Sequence, residues 1–194
     1  RYALWSLETD RGAAVAEALS HVNRAIALDP DAAYHYWVRG LIHEVSRKPG
    51  PTIRDDERLL GLDPGPSSKA LAAWLLAMAG DRERGLPMLR EQLELLRHYP
   101  GWWHHPFVLE ALERGNYKEA LDWSERICEA MPGFFWGEID RCAALSALGR
   151  GEEAAEAWAR IEETRPGFGD HPRRFLECHI MQDEVLEMVM AWLE

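Results

Sequence analysis

The stretch RGNYKEALDWSERICEAMPG, residues 114–133, contains the order on which the reading of the chain turns: a glycine turn, a helical run and a proline-glycine stop. Gly115 lies in the turn 114–117, residues 119–130 place apolar side chains at helical spacing, and Pro132 ends the run because proline has no N–H to continue it. The same order recurs on both sides. Glycine turns lie at 79–82 and 148–151, and prolines stand at Pro30, Pro64, Pro100, Pro132 and Pro166, successive separations of 34, 36, 32 and 34 residues. A second helical segment precedes most of these runs, so the unit is helix, turn, helix.

Period and small residues together resemble the tetratricopeptide repeat (TPR), a 34-residue helical hairpin with small residues at its eighth, fifteenth, twentieth and twenty-seventh positions and proline at its thirty-second. Ser6, Ala18, Ala25 and Pro30 match in the first unit, Gly40 and Pro64 in the second, Gly80 and Gly85 in the third. Gly115, Ala120 and Pro132 match in the fourth, and Gly149, Ala154 and Pro166 in the fifth. Small residues belong there because the helices approach closely, and a large side chain would hold them apart. The resemblance implies an all-α, right-handed α-α superhelix of five hairpins over 1–166 (1–32, 33–66, 67–100, 101–134, 135–166).

Some positions depart from the pattern. In the second unit Thr52 replaces a small residue and Asp56 a large apolar one, so the second helix of that hairpin is expected to start late and pack poorly. Pro87 is placed near the start of the second helix of the third unit, which is expected to run about a turn longer, to Pro100; Pro106 falls in a first turn, where a missing N–H costs little. Residues 167–194 leave the period. Segments 173–179 and 183–193 read as one broken helix or two short ones, with Val185, Leu186, Met188, Val189 and Leu193 as an apolar face that caps the last hairpin.

A narrower likeness rests on WWHH (102–105), RGNYKEAL (114–121), MPGFFW (131–136), ALGRGEEA (147–154), RPGF (165–168) and DEVLE (183–187). These are similar to the C-terminal TPR region of bacterial multidomain signalling proteins, which join such repeats to a class III adenylate/guanylate cyclase domain or a winged-helix regulator. The likeness implies a sensory or regulatory part of a larger protein. Both ends of the sequence fall in helical patterns, as expected of a piece of a longer polypeptide.

Twenty-two Lys and Arg against 33 Asp and Glu give a formal charge of −11, which opposes any sequence-independent grip on nucleic acid or anionic lipid. No apolar run reaches 18 residues and no signal peptide opens the sequence, so neither a membrane span nor export is expected. Cys128, Cys142 and Cys178 form no CxxC, which suits reduced thiols in a cytoplasmic protein.

Motifs for chemistry fail one by one. GLDPGPSSK (61–69) lacks the order of a phosphate-binding loop, and His43 opens HEVSR without the second histidine of a zincin. His104 and His105 are adjacent, hence about 100° apart on a helix, and cannot face one ion unaided. His171, Cys178 and His179 have no second ligand cluster, and the acid pairs, Asp55/Asp56 among them, are placed at helix starts or on solvent faces. No catalytic residue, metal or cofactor is expected, and the chain reads as a non-enzyme.

Nine tryptophans are the compositional oddity. In repeats of this type the first helices line a concave groove, and the inward places hold Tyr34, Trp37, Leu41 and Glu44, then Trp74 and Met78, then Trp102, His105 and Leu109, then Trp136 and Ile139. Such a groove suits a peptide or amphipathic helix of apolar or aromatic character. It does not suit an acidic tail, since Trp37 and Leu41 stand at two positions of the carboxylate clamp some TPR proteins use. A homodimer or an intramolecular regulatory module is the alternative, and a metal-dependent enzyme using His104 and His105 the most remote.

Overall fold

Turns set the frame of the structure, a computed structural model that describes residues 11–193. Gly80, Gly115 and Gly149 take left-handed φ values of 96°, 70° and 73°. At each, the next N–H reaches back five residues, Asp81 to Leu76, Asn116 to Ala111 and Arg150 to Leu145, at 2.8–2.9 Å. Glycine closes a helix this way because it has no Cβ to clash. A fourth turn has the same bonds without the glycine: Lys48 N–H donates to His43 O at 2.9 Å around Arg47, whose φ is 55°.

Among the described residues every regular element is helical and no strand occurs. The chain divides into two compact units, one of residues 11–97 with 174–182, the other of 98–173 with 183–193. The first unit contains α1 (Arg11–Leu28), α2 (Ala33–Val45), α3 (Pro49–Leu62), α4 (Pro66–Met78) and α5 (Arg82–Leu95). Hairpins α2/α3 and α4/α5 pack through α3 on α4 and α2 on α4, with α1 on α2. Gly85 shows how tightly α5 lies on α4: a Cβ there would stand 2.6 Å from Ala77 N and 2.7 Å from Ala73 O.

In the second unit a 3₁₀ turn (Gly101–His104) leads into α6 (His105–Glu113), followed by α7 (Tyr117–Ala130), α8 (Phe135–Ala147) and α9 (Gly151–Thr164). Hairpins α6/α7 and α8/α9 join through α7 on α8 and α6 on α8. The tail forms α10 (Pro172–Leu176) and α11 (Asp183–Leu193). No helix among the described residues is long and apolar enough to cross a membrane. Ser6 and the first helix of the 1–32 unit lie outside the described residues.

Two local expectations are corrected. The helix α3 starts early, at Pro49, because Pro49 and Pro51 fill a first turn whose N–H groups have no helical partner anyway. Thr52 and Asp56 are fully buried in it, and the Thr52 hydroxyl donates to Lys48 O at 3.0 Å. The helix α5 has the same 14 residues as α3, α7 and α9, so the extra sequence before Pro100 forms a loop rather than another turn of helix. With the turn closing at Gly80, α5 begins at Arg82 and Pro87 falls inside the helix.

Candidate functional site

Eleven residues stand at inward places, ten of them expected to contact a bound peptide besides the buried Glu44, and the structure divides them. On α2, Tyr34 is 60% exposed, and Trp37 and Leu41 are half-buried. The Tyr34 and Trp37 rings lie 5.1 Å apart, and Trp37 packs against the cluster of Tyr36, Leu59 and Ala72. Trp102 is half-buried beside Trp103. Trp74, Met78, His105, Leu109, Trp136 and Ile139 are all buried.

What covers α2 and α4 is the tail of the chain itself. Residues 174–182 bury Phe175, Leu176, Cys178, Ile180 and Met181 in the first unit. Four contacts hold 179–182 to α2, the turn that follows it, and α4. His179 Nδ1 donates to the buried Glu44 carboxylate of α2 at 2.9 Å, and the His179 ring stands edge-on to Trp74 of α4 at 6.2 Å. Arg47 Nη2 donates to Met181 O at 3.1 Å, and Gln182 Nε2 donates to Met78 O at 2.9 Å. One of the four, from Arg47 to Met181 O, is accepted by the backbone of the segment, a contact that a bound segment offers whatever its sequence, whereas the bond to Met78 O requires the Gln182 side chain.

In the second unit α11 packs on α8 and α6, the helices that carry Trp136, Ile139, His105 and Leu109, and buries Val185, Leu186, Val189 and Met190. His105 Nδ1 donates to Asp140 Oδ2 at 2.6 Å, tying α6 to α8 beneath it. In both units, therefore, the first helices receive a piece of the tail.

The groups considered for chemistry are placed as structure. His104 turns to Tyr99 and Trp123, with ring centroids 5.6 and 5.2 Å away, while His105 turns to Asp140, so the two share no ligand position. Burial, with Arg126 nearby, lowers the His104 pKa to about 4, leaving a neutral ring. Burial raises Cys128 to about 12 and Cys142 to about 11, so both stay thiols rather than nucleophilic thiolates. The acid pair Asp55/Asp56, expected at a helix start or on a solvent face, is buried in the middle of α3. Asp55 is gripped by both arms of the Arg39 guanidinium at 2.6 and 2.9 Å, while burial and the neighbouring Asp55, Glu44 and Glu57 push Asp56 up to about 9. The sequence reading missed the clamp of Arg47, His179 and Gln182. One signal was available: Arg47 stands where the other hairpin turns have glycine.

No protein-family model and no curated protein matches the sequence. Solved structures do match. MamA is 15% identical over 82% of this chain and 87% of its own, with a TM-score of 0.54. YrrB, described as a TPR protein with an unusual peptide-binding site, is 16% identical over 88% of this chain and 91% of its own, with a TM-score of 0.52. At these identities the likeness is one of fold, an all-α TPR-type helical solenoid.

Proposed function

We propose that the chain is a protein-interaction scaffold whose first-helix faces hold a peptide or short helix, and that its own C-terminal segment is the resident occupant. The observation that carries this reading is the clamp of Glu44, Arg47 and Met78 on residues 179–182. The peptide-binding site in the description of YrrB supports it by analogy of fold. A partner competes with the segment: Tyr34, Trp37 and Leu41 form the accessible start of the face, and Trp74 and Met78 become available as residues 179–182 lift. In the second unit Trp102 is the accessible position, and His105, Leu109, Trp136 and Ile139 form the floor under α11. The partner is apolar or aromatic where it meets these side chains.

An occupant carried in the same chain makes this an intramolecular regulatory module, which fits the sensory part of a larger signalling protein implied by the sequence likeness. The division is five hairpins over 1–166 followed by the tail 167–194, which here both caps and occupies. Free thiols at Cys128, Cys142 and Cys178 support a reducing, cytoplasmic setting. Neutral His104 and protonated thiols support a non-catalytic role.

The test is competition. A tethered segment acts at an effective concentration of roughly millimolar, so a labelled peptide of residues 174–193 should bind the unmodified chain poorly. It should bind the His179→Ala/Gln182→Ala chain at least ten-fold more tightly, because the peptide brings both anchors and the chain's own tail has lost them. Equal affinity for the two chains, with helicity retained in both, overturns the reading.

A further inference from the structure

A second site lies away from the tail. Between α1, α2 and α3 of the first unit an open pocket of about 580 Å³ is lined by Leu19, Tyr36, Arg39, His43, Arg54 and Arg58, with Asn23, Pro51 and Asp55. Its charge runs against the rest of the molecule: three guanidiniums and an imidazole face one carboxylate in a chain of formal charge −11. Asp55 is committed to Arg39, whose Nη1 also donates to Asn23 at 2.9 Å, and lies 3.6 Å from His43 Nε2. His43 Nδ1 is buried and makes no hydrogen bond. Arg54 makes no ion pair with a described residue, and the one ion pair of Arg58 among the described residues is an exposed contact with Asp31 at 3.4 Å, beside a long bond to Pro30 O at 3.5 Å, the kind of surface pair that yields readily to a competitor.

We propose that this pocket binds the side-chain carboxylates of an acidic peptide segment of a partner protein, with Arg54 and Arg58 as the receiving groups. The inference rests on the scaffold reading but uses a different surface from the tail-held face, and it names a partner chemistry that the aromatic face does not favour. Arg39 and Asp55 already display the carboxylate geometry this pocket supports, a two-armed guanidinium grip at 2.6 and 2.9 Å. Tyr36 lies between two of the cations, 5.4 Å from the Arg39 and 5.6 Å from the Arg58 guanidinium carbon, which holds Arg58 over the opening. Leu19 and Pro51 give the peptide stem an apolar wall, and the volume falls within the roughly 300–1,000 Å³ that takes a small ligand or a few side chains.

Singly charged carboxylates spaced along a chain match two separate guanidiniums. A compact phosphate dianion would instead gather its charge close to the buried Asp55 carboxylate. The acidic remainder of the chain does not cancel this attraction, because charges beyond about 8 Å are largely screened at physiological salt.

The experiment is fluorescence anisotropy of a labelled hexaglutamate peptide against the whole chain. Saturable binding is expected, weakened by 0.5 M salt in line with screening, and weakened at least ten-fold in the Arg54→Gln/Arg58→Gln chain. Both side chains are exposed, so the urea midpoint should not move. No saturable binding, undiminished affinity in the double variant, or displacement by equimolar inorganic phosphate would each overturn the proposal. Competition by the 174–193 peptide does not use these arginines. Loss of hexaglutamate binding with that competition intact removes this pocket alone, whereas loss of both removes the scaffold reading.

Discussion

Replacing Arg47 by glycine separates backbone strain from function, since Arg47 combines a left-handed φ of 55° with a hydrogen bond to Met181 O at 3.1 Å. A non-glycine residue in that region costs roughly 1–2 kcal/mol, which glycine relieves. The guanidinium bond, part-buried and of ordinary length, lies at the low end of the roughly 1.5–3 kcal/mol typical for a hydrogen bond from a charged group. The two effects nearly cancel in overall stability but act in different places. The α2/α3 hairpin gains, while the segment 174–182 loses one of its holds, and about 1.4 kcal/mol of lost local stability is a ten-fold rise in opening. Hydrogen exchange reads this directly at Cys178, His179 and Ile180, whose amides bond to Phe175 O and Leu176 O and exchange when the segment opens. The expected result is exchange about ten-fold faster at those three amides, with a urea midpoint unchanged or raised. Arg47→Ala, which keeps the strain and loses the bond, should speed the same amides and also lower the midpoint. Unchanged exchange in Arg47→Gly would refute the clamp, and a clearly lowered midpoint would refute the strain argument.

Two further outcomes follow from packing and titration. Gly85→Ala should destabilise by about 1–3 kcal/mol, since its Cβ meets backbone atoms of α4 at 2.6 and 2.7 Å that cannot rotate away. Gly61→Ala, in α3 with nothing within 4 Å, should stabilise by roughly 0.5–1 kcal/mol; urea midpoints of the two variants moving the same way would contradict the close-approach reading. Asp56 keeps its proton in the folded chain up to about pH 9 but loses it near pH 4 once unfolded. Stability from this group is therefore full below pH 4 and is lost as pH rises towards 9, by at most about 1.4 kcal/mol per pH unit. Asp56→Asn should flatten the fall in urea midpoint between pH 5 and pH 9, and parallel curves for the two chains would sink the assignment.

The fold was legible because punctuation is a local matter. Pro30, Pro64, Pro132 and Pro166 each follow a helix end by two residues, and Gly80, Gly115 and Gly149 each take the left-handed conformation that a hairpin turn requires. The lining of the groove was not legible, because whether Trp74 or Trp136 meets water depends on packing partners distant in sequence. His179 reaches Glu44 across 135 positions and Gln182 reaches Met78 across 104, and no periodicity reports a contact of that range. Pro87 misled for a related reason. Its cost depends on where the helix begins, and that is set by the turn at Gly80 rather than by the proline.

The second hairpin breaks the repeat pattern most often, and its departures fall on the two proposed sites rather than at random. Arg47 replaces the turn glycine and reaches Met181; Glu44 puts a buried carboxylate under His179. Asp55 orients Arg39 in the basic pocket, and Asp56, beside Glu44, occupies a buried place suited to a large apolar side chain. Each carries a cost that a plain structural hairpin avoids: left-handed backbone, a desolvated acid, a carboxylate held neutral by its surroundings. Hairpins α4/α5 and α8/α9 close on glycine at their turns, so the left-handed non-glycine turn is particular to the second hairpin among the described residues. Local rules broken together at Arg47, Asp55 and Asp56, beside both proposed sites, are what is expected where binding rather than folding sets the residues. Restoring the pattern there, with Arg47→Gly and Asp56→Leu combined, should therefore give a chain that folds at least as well and holds its tail less well.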